Sequence, residues 1–294
     1  MTKQLSVLEF FKDFPDDDAC LEHLMVTRFG KSLDCPKCGK NGKFHRVKKR
    51  PVYACQWCSY QISPMADTPF HRSSTPLQKW FYAMYLFTTS RHGVPAKELQ
   101  RQLSVTYKTA WRMGHEIRKY MADVDGDSNL SGHVEIDETY IGGKDERMGV
   151  PNSGSKKTAV FGMIERGGDV ITRVIPKTTK ANTHPLIKEF INKGSTISSD
   201  EWPGYMRLKD LGYTHGTVRH TREQYVNGIH HTNSMEGYWS RIKNSIRGTH
   251  VHVSKKHLQK YLGEFEYRYN MRANPSLMFD LLLRAFASCG QRAC

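Results

Sequence analysis

The sequence predicts an α/β protein in which a cysteine-rich module and a helical region precede a larger domain of strands and helices. Four cysteines form two Cys-x-x-Cys pairs near the start of the chain, a helical pattern occupies residues 76–121, and β-rich runs alternate with helices from residue 133 onwards. At 294 residues, the chain is long enough for about two domains with substantial cores.

The chain is strongly basic. It has 44 Lys and Arg against 29 Asp and Glu, a net charge of +15. Such a charge indicates a polyanionic partner, most simply nucleic acid; a basic surface without a partner is the alternative. No apolar run approaches the roughly 18 residues of a membrane span, and the N-terminus lacks a signal-peptide pattern. We therefore expect a cytoplasmic, nucleoid-associated protein with no membrane contact.

Residues 1–30 are predicted to form short amphipathic helices, with the acidic run at Asp16 as an N-terminal cap. Residues 31–62 are predicted to form a zinc ribbon. Sixteen residues separate the two Cys-x-x-Cys pairs and are rich in strand formers, and two such pairs supply the four thiolates of a tetrahedral zinc site. Redox-active pairs are the alternative, but no βαβ pattern surrounds them. The predicted ligands are Cys35, Cys38, Cys55 and Cys58.

The three other cysteines, Cys20, Cys289 and Cys294, match no ligand spacing and are predicted to be ordinary thiols. Five cations around the central hairpin give the ribbon a basic edge suited to phosphates, although such a run is often only a solvated hairpin. They are Lys43, Arg46, Lys48, Lys49 and Arg50.

Residues 63–122 are predicted to contain a helix-turn-helix. An apolar stripe after Pro76 indicates a core helix, and a short break at residues 104–106 separates two further helical patterns. The second of these carries Lys108, Arg112 and His115 as candidate DNA contacts. A helical hairpin without DNA contact is the alternative; the overall charge favours DNA.

Residues 123–132 are acidic and show no helix or strand pattern, which predicts a linker. Residues 131–275 are predicted to form a second domain. Its first strand alternates apolar Val134 and Ile136 with acidic Glu135 and Asp137, which predicts a half-buried strand with carboxylates on one face. Taken alone, such a face is more often solvated than functional.

Two more β-rich runs follow, joined by a glycine turn, and then a helix from a capping Thr183 to Lys193 and a short strand ending at Asp200. Three antiparallel strands, a helix and a fourth strand is the order of a ribonuclease-H-like fold, in which the first and fourth strands are neighbours. Asp137 and Asp200 would then face each other, and two close carboxylates favour a bound Mg²⁺ or Mn²⁺.

A third acid is expected from the basic helix that follows His230. Glu236 opens this helix, and Lys243 lies seven positions further on the same face. Asn233 and Glu236 also fit a capping box, a reading compatible with metal binding. A carboxylate among cations suits a metal beside bound phosphates, so Arg241 and Arg247 are candidate DNA contacts.

Several motifs resemble those of bacterial insertion-sequence transposases, in the group numbered fifteen ninety-five, whose members carry an N-terminal zinc ribbon. The similarity runs from about residue 15 to 275. The motifs are Val134–Lys144, Ser199–Tyr205, His231–Lys243, Arg247–Ser254 and Tyr261–Arg272.

The resemblance implies a Mg²⁺-dependent DDE transposase that cuts at element ends and joins the freed 3′-hydroxyl to target DNA. It implies Asp137 and Asp200 as the first two acids. The third is Glu236, with Asn233 as its rival, because parts of the family have Asn in place of Glu. Lys243 would contact DNA near the scissile phosphate, and His231 would orient a phosphate or water or be structural.

The resulting hypothesis is a transposase that binds terminal inverted repeats on double-stranded DNA, as a homodimer or larger assembly in the synaptic complex. A DNA-binding protein without catalysis, or a nuclease without strand transfer, are the alternatives. A helix is predicted over residues 254–272, with Arg268 pointing outward. Residues 276–294 are predicted to form a final apolar helix that completes the core or contacts another subunit.

Overall fold

The computed structural model describes residues 4–126, 128–142, 157–218, 226 and 228–288. The chain divides into two compact units. Unit 1 combines Met1–Val124 with Asn274–Cys294, and unit 2 is Asp125–Ala273. Among the described residues, no helix combines the length and apolar character needed to cross a membrane.

Unit 1 begins with two helices and the cysteine-rich ribbon. As predicted, Asp16 caps the second helix: its Oδ1 accepts a hydrogen bond of 2.8 Å from the N–H of Ala19. The ribbon has one two-stranded and one three-stranded antiparallel sheet, and its third and fourth strands form the predicted hairpin. The elements are α1 (Val7–Asp13), α2 (Asp17–Phe29), β1 (Leu33–Asp34), β2 (Asn41–Gly42), β3 (Phe44–Arg46), β4 (Tyr53–Cys55) and β5 (Gln61–Ile62).

Three helices follow in unit 1: α3 (Leu77–Thr89), α4 (Ala96–Leu103) and α5 (Tyr107–Asp125). The apolar stripe of α3 is core, as predicted, since Trp80 and Phe81 are fully buried. Between α4 and α5, Ser104 adopts a left-handed conformation with φ of 49°. Thr106 then caps α5, because its Oγ1 accepts a 3.2 Å hydrogen bond from the N–H of Thr109.

Unit 2 is built on a five-stranded sheet with the order β10-β9-β6-β7-β8. The strands β6, β7 and β8 are antiparallel neighbours, and β9 pairs parallel to β6. This is the ribonuclease-H-like order expected from the sequence. The strands are β6 (His133–Ile141), β7 (Thr158–Glu165), β8 (Val170–Ile175), β9 (Thr196–Ser199) and β10 (Thr214–Thr217).

Helices cover both faces of this sheet, so the prediction of a half-buried first strand is wrong. Val134 and Ile136 share one core cluster with Ile187 of α6 (Lys180–Phe190). On the other face, Val160 and Ile164 of β7 pack with residues of α7 (Asn233–Ser245) and α8 (Lys255–Asn270). The acidic side of β6 therefore lies under α7 rather than in solvent.

The helix predicted from Thr183 to Lys193 begins earlier and ends earlier. Thr179 is its N-cap, and the Thr179 carbonyl accepts hydrogen bonds from the N–H groups of Asn182 and Thr183. Thr183 is thus inside the helix and fully buried. After Phe190, the chain leaves the helix because Ile191 forms a parallel bridge with Leu130. The sequence patterns did not predict strand β10.

Helix α8 corrects one side-chain prediction. Arg268 does not point outward: its side chain is 11% exposed, and its Nη1 lies 2.6 Å from Oε1 of the fully buried Glu264. The last helix, α9 (Met278–Ala287), completes the core of unit 1, where Phe286 packs on Phe70 and Tyr120.

Candidate active site and zinc site

The four predicted zinc ligands lie together in the ribbon. Their Sγ atoms are all within 4.8 Å of one another, with 3.5 Å between Cys35 and Cys58 and 4.0 Å between Cys38 and Cys55. All four are free thiols, so no disulfide competes with a metal. Burial raises the pKa of Cys35, but the backbone N–H groups of Cys38 and Lys37 lower it to about 6 overall. Four converging free thiols fit a structural Zn²⁺.

Cys20 takes no part in this cluster. Cys20 is buried in α2, and its burial, followed by the charges of Asp17 and Asp16, raises its pKa to about 12. Cys289 and Cys294 lie outside the described residues. On the basic edge of the ribbon, Arg46 forms an ion pair with Asp18, with 2.7 Å between Nη2 and Oδ1. Lys43, Lys48, Lys49 and Arg50 are exposed.

Asp137 lies on β6, and Asp200 directly follows the neighbouring parallel strand β9. The register pairs Glu135 of β6 with Ser198 of β9, and each aspartate lies two residues beyond its paired neighbour. Side chains of a parallel pair in register point to the same face, and that face carries α7. The strand order thus brings together two acids that are 63 positions apart in the sequence.

Asp137 has a raised pKa. Its burial, followed by the charge of Asp200, raises its pKa to about 7, and Glu236 adds to the rise. Two hydrogen bonds act in the opposite direction, one of them from the indole Nε1 of Trp239 to Oδ2 at 3.0 Å. Burial and the neighbouring carboxylates both disfavour the ionised form of Asp137. A bound divalent cation would stabilise that ionised form against both effects. The donor set therefore fits Mg²⁺ or Mn²⁺.

Glu236 and Asn233 are the two candidates for the third ligand, and the charge of Glu236 contributes to the raised pKa of Asp137. Glu236 is exposed in the first turn of α7, and its Oε1 accepts a 3.0 Å hydrogen bond from the hydroxyl of Thr232. Asn233 is exposed at the first position of the helix. The predicted capping box is wrong, since the N-cap is Thr232 and its side chain makes no capping bond.

The residue that caps α7 is Glu135, which the sequence did not single out. Its fully buried carboxylate accepts hydrogen bonds from the N–H groups of Ser234, at 2.8 Å, and Met235, at 3.1 Å. The Nε of Arg166 donates to the same carboxylate at 2.7 Å, and Nδ1 of His231 lies 3.1 Å away. His231 is therefore in a structural contact, one of the two roles considered for it.

Glu138 points to the opposite face, as expected from strand alternation. Its carboxylate accepts a hydrogen bond from the hydroxyl of the fully buried Tyr205. Burial raises its pKa to about 7, and Asp200 and Asp137 contribute to the rise.

In the described part of the chain, the four cysteines are the only group of three or more metal-ligating side chains within 4.8 Å of one another. The acids thus form a looser cluster than the thiols.

The remaining predicted contacts are spread over exposed and buried positions. Lys108 and Arg112 are exposed on α5, but His115 is 5% exposed with its ring 3.9 Å from that of Trp111. The burial of His115 therefore argues against the DNA contact predicted for it. In unit 2, Arg241 is exposed, Lys243 is half-buried on α7, and Arg247 is exposed in the π-helical turn Ile246–His250.

The comparisons with known proteins point to one family. Residues 15–61 match the transposase zinc-ribbon domain, and residues 129–270 match the ISXO2-like transposase domain. An uncharacterized protein in the transposable element ISH50 of Halobacterium salinarum is 27% identical over 286 residues, which cover 90% of this chain and 94% of that protein. An uncharacterized transposase-like protein of Haemophilus influenzae is 26% identical over 106 residues, covering 34% of this chain and 80% of that one.

Among solved structures, the similarity is distant. The Mos1 strand transfer complex has a TM-score of 0.31 at 13% identity, with 73% of this chain and 79% of that chain covered. The pre-cleavage Mos1 transpososome has a TM-score of 0.28 at 13% identity, with coverage of 73% and 80%.

Proposed function

The chain belongs to the family of ISXO2-like transposases with an N-terminal zinc ribbon, and we propose that it binds the terminal inverted repeats of an insertion sequence and catalyses metal-dependent DNA cleavage and strand transfer. The observation that carries this proposal is the proximity of Asp137 on β6 to Asp200, which directly follows β9, and to Glu236, since both charges raise the pKa of Asp137. The net charge of +15 supports a DNA substrate.

In this mechanism, Asp137, Asp200 and Glu236 would hold Mg²⁺ or Mn²⁺. The bound metal would stabilise the charge on the attacking and leaving oxygens of an in-line displacement at phosphorus. Water attacks the scissile phosphodiester first and releases the 3′-hydroxyl of the element end. That hydroxyl then attacks a target phosphodiester, so one P–O bond forms as another breaks and no covalent protein intermediate is required.

The other basic side chains have roles in holding DNA. Lys243 lies two turns beyond Glu236 on α7 and contacts the phosphate next to the cut, with exposed Arg241 and Arg247 on the neighbouring backbone. The zinc ribbon and the exposed Lys108 and Arg112 of α5 bind the terminal repeat. Because two ends must be joined to one target, we propose a dimer or larger assembly in the synaptic complex.

Cleavage and joining of labelled element ends test the proposal. In Mg²⁺ or Mn²⁺, the full chain should nick an end fragment and join a pre-cut end to a plasmid. Asp137→Asn and Asp200→Asn should lower both rates by about 10³-fold or more without changing end binding. Binding without nicking would instead identify a DNA-binding protein without catalysis. Nicking without joining would identify a nuclease.

A further inference from the structure

Glu135 lies on the same face of β6 as Asp137, but its carboxylate is occupied by protein groups. Ser234 contributes both its N–H, at 2.8 Å, and its hydroxyl, at 3.0 Å, and Met235 its N–H, at 3.1 Å. These N–H groups belong to the first turn of α7, where a helix lacks internal acceptors and favours negative charge. Glu135 therefore fixes the start of α7 to β6, across 99 positions of sequence.

Arg166 completes this attachment from the turn after β7. Besides Glu135, its guanidinium donates to the carbonyl oxygens of Ile229, at 2.7 Å, and His231, at 3.1 Å. These carbonyls belong to the segment that leads into α7. The planar guanidinium thus holds the segment and the capping carboxylate in one geometry, which a lysine cannot reproduce.

A second anchor holds the same segment to the sheet. The hydroxyl of Ser198 lies 2.8 Å from Nδ1 of His230 and 2.7 Å from Nε2 of His133. The His230 ring lies over Gly216 of β10, where any Cβ would overlap the ring. Three strands of the sheet therefore contact the residues just before α7.

We propose that Glu135 and Arg166 are positioning residues that set the register of α7 against β6 and so place Glu236 beside Asp137. The inference rests on the proposed function, since it assigns these two residues a role in assembling that metal site. Glu236 follows Met235 directly in the chain, so a shift at the Glu135 contacts moves Glu236 relative to Asp137. Neither residue touches substrate or metal in this account.

The test compares Glu135→Gln and Arg166→Met in the full chain, with Glu264→Gln as a matched control. Glu264 is also a fully buried acid of unit 2 in contact with an arginine, but on α8. Mn²⁺ binding is followed by electron paramagnetic resonance, nicking is followed against Mn²⁺ concentration, and hydrogen exchange is followed at the amides of Ser234 and Met235.

Both variants should need about tenfold more Mn²⁺ for half-occupancy, as is usual when a residue supporting a metal ligand is lost. Saturating Mn²⁺ should restore most of the nicking rate, and the two amides should exchange faster. Arg166→Lys should fall between the wild type and Arg166→Met. The control should lower the melting temperature and leave the Mn²⁺ midpoint unchanged.

An unchanged Mn²⁺ midpoint in Glu135→Gln and Arg166→Met, or an equal shift in Glu264→Gln, would overturn the inference. If Glu135→Gln does not fold, Ser234→Ala removes only the hydroxyl contact and should shift the midpoint about twofold to threefold. If the wild-type protein does not nick DNA, the proposed function fails, while Mn²⁺ binding and amide exchange still decide the role of Glu135 and Arg166.

Discussion

The indole Nε1 of Trp239 donates a hydrogen bond of 3.0 Å to Oδ2 of Asp137. This contact joins α7 to β6, the strand that carries Asp137. It requires close approach of the helix, and Gly162, which pairs with Asp137 on β7, permits it: a Cβ at Gly162 would overlap the Trp239 ring and Met235. A helix and a strand that are distant in the sequence are thus packed together where the acids meet.

Trp239→Phe should shift the pH dependence of cleavage to higher pH. The indole bond lowers the pKa of Asp137 against burial and the charge of Asp200, which raise it to about 7. Removing the bond raises the pKa further, and Asp137 must be ionised to bind metal, so the rate should reach its plateau at higher pH. The measurement is the nicking rate from pH 6 to 9.

Trp80→Phe is the matched control, because Trp80 is buried in unit 1 and donates to the hydroxyl of Ser73 at 3.3 Å. It should lower stability and leave the pH profile in place. A Trp239→Phe profile identical to that of the wild type would show that the indole does not tune Asp137.

Glu236→Gln should abolish cleavage, whereas Asn233→Ala should keep it within about threefold of the wild type. The carboxylate of Glu236 raises the pKa of Asp137, whereas Asn233, at the first position of α7, is a neutral amide. Losing one metal-binding carboxylate should cost about 10²-fold to 10³-fold in rate, at unchanged end binding. The reverse ranking of the two variants would assign the third ligand to Asn233.

Zinc removal should destroy recognition of DNA ends. Cys58→Ser, or treatment with a strong chelator, should release one Zn²⁺ per chain and unfold the ribbon, since its short strands contain few other buried side chains. The readouts are zinc content and binding of an end fragment. Cys20→Ala is the control: Cys20 is buried but outside the sulfur cluster, so zinc should stay at wild-type content. Full end binding by zinc-free protein would argue against a role for the ribbon.

Lys108→Ala and Arg112→Ala should each weaken end binding and reduce the slope of log affinity against log salt by about 1. Both side chains are exposed on α5. Lys12→Ala, at an exposed position on α1, should leave the slope unchanged. Equal effects of all three substitutions would indicate a diffuse electrostatic effect and no specific role for α5.

Much of the site could be predicted because local patterns specified it. Cysteine spacing predicted the four sulfurs that converge in the ribbon, and the order of strand-forming runs predicted that the first and fourth strands are neighbours, as β6 and β9 are. The capping of α7 could not be predicted in this way. Asn233 and Glu236 matched a local capping pattern, but Glu135, 99 positions before Ser234, supplies the cap.

The burial of individual side chains could not be predicted from the sequence either. The sequence predicted His115, with Lys108 and Arg112, as a DNA contact on α5, whereas His115 is buried and packs against Trp111. Arg268 similarly had a surface pattern and pairs instead with the buried Glu264. Helical periodicity identifies the side of a helix, but the depth of a side chain depends on which other elements pack there.

Locating Mn²⁺ in crystals of the full chain by anomalous diffraction tests the central claim most directly. The account predicts an ion bound by carboxylate oxygens of Asp137 and Asp200, with Glu236 as the third protein ligand of the site. An ion bound by Glu138 on the opposite face would contradict it. So would crystals grown in saturating Mn²⁺ in which Asp137 and Asp200 bind no metal.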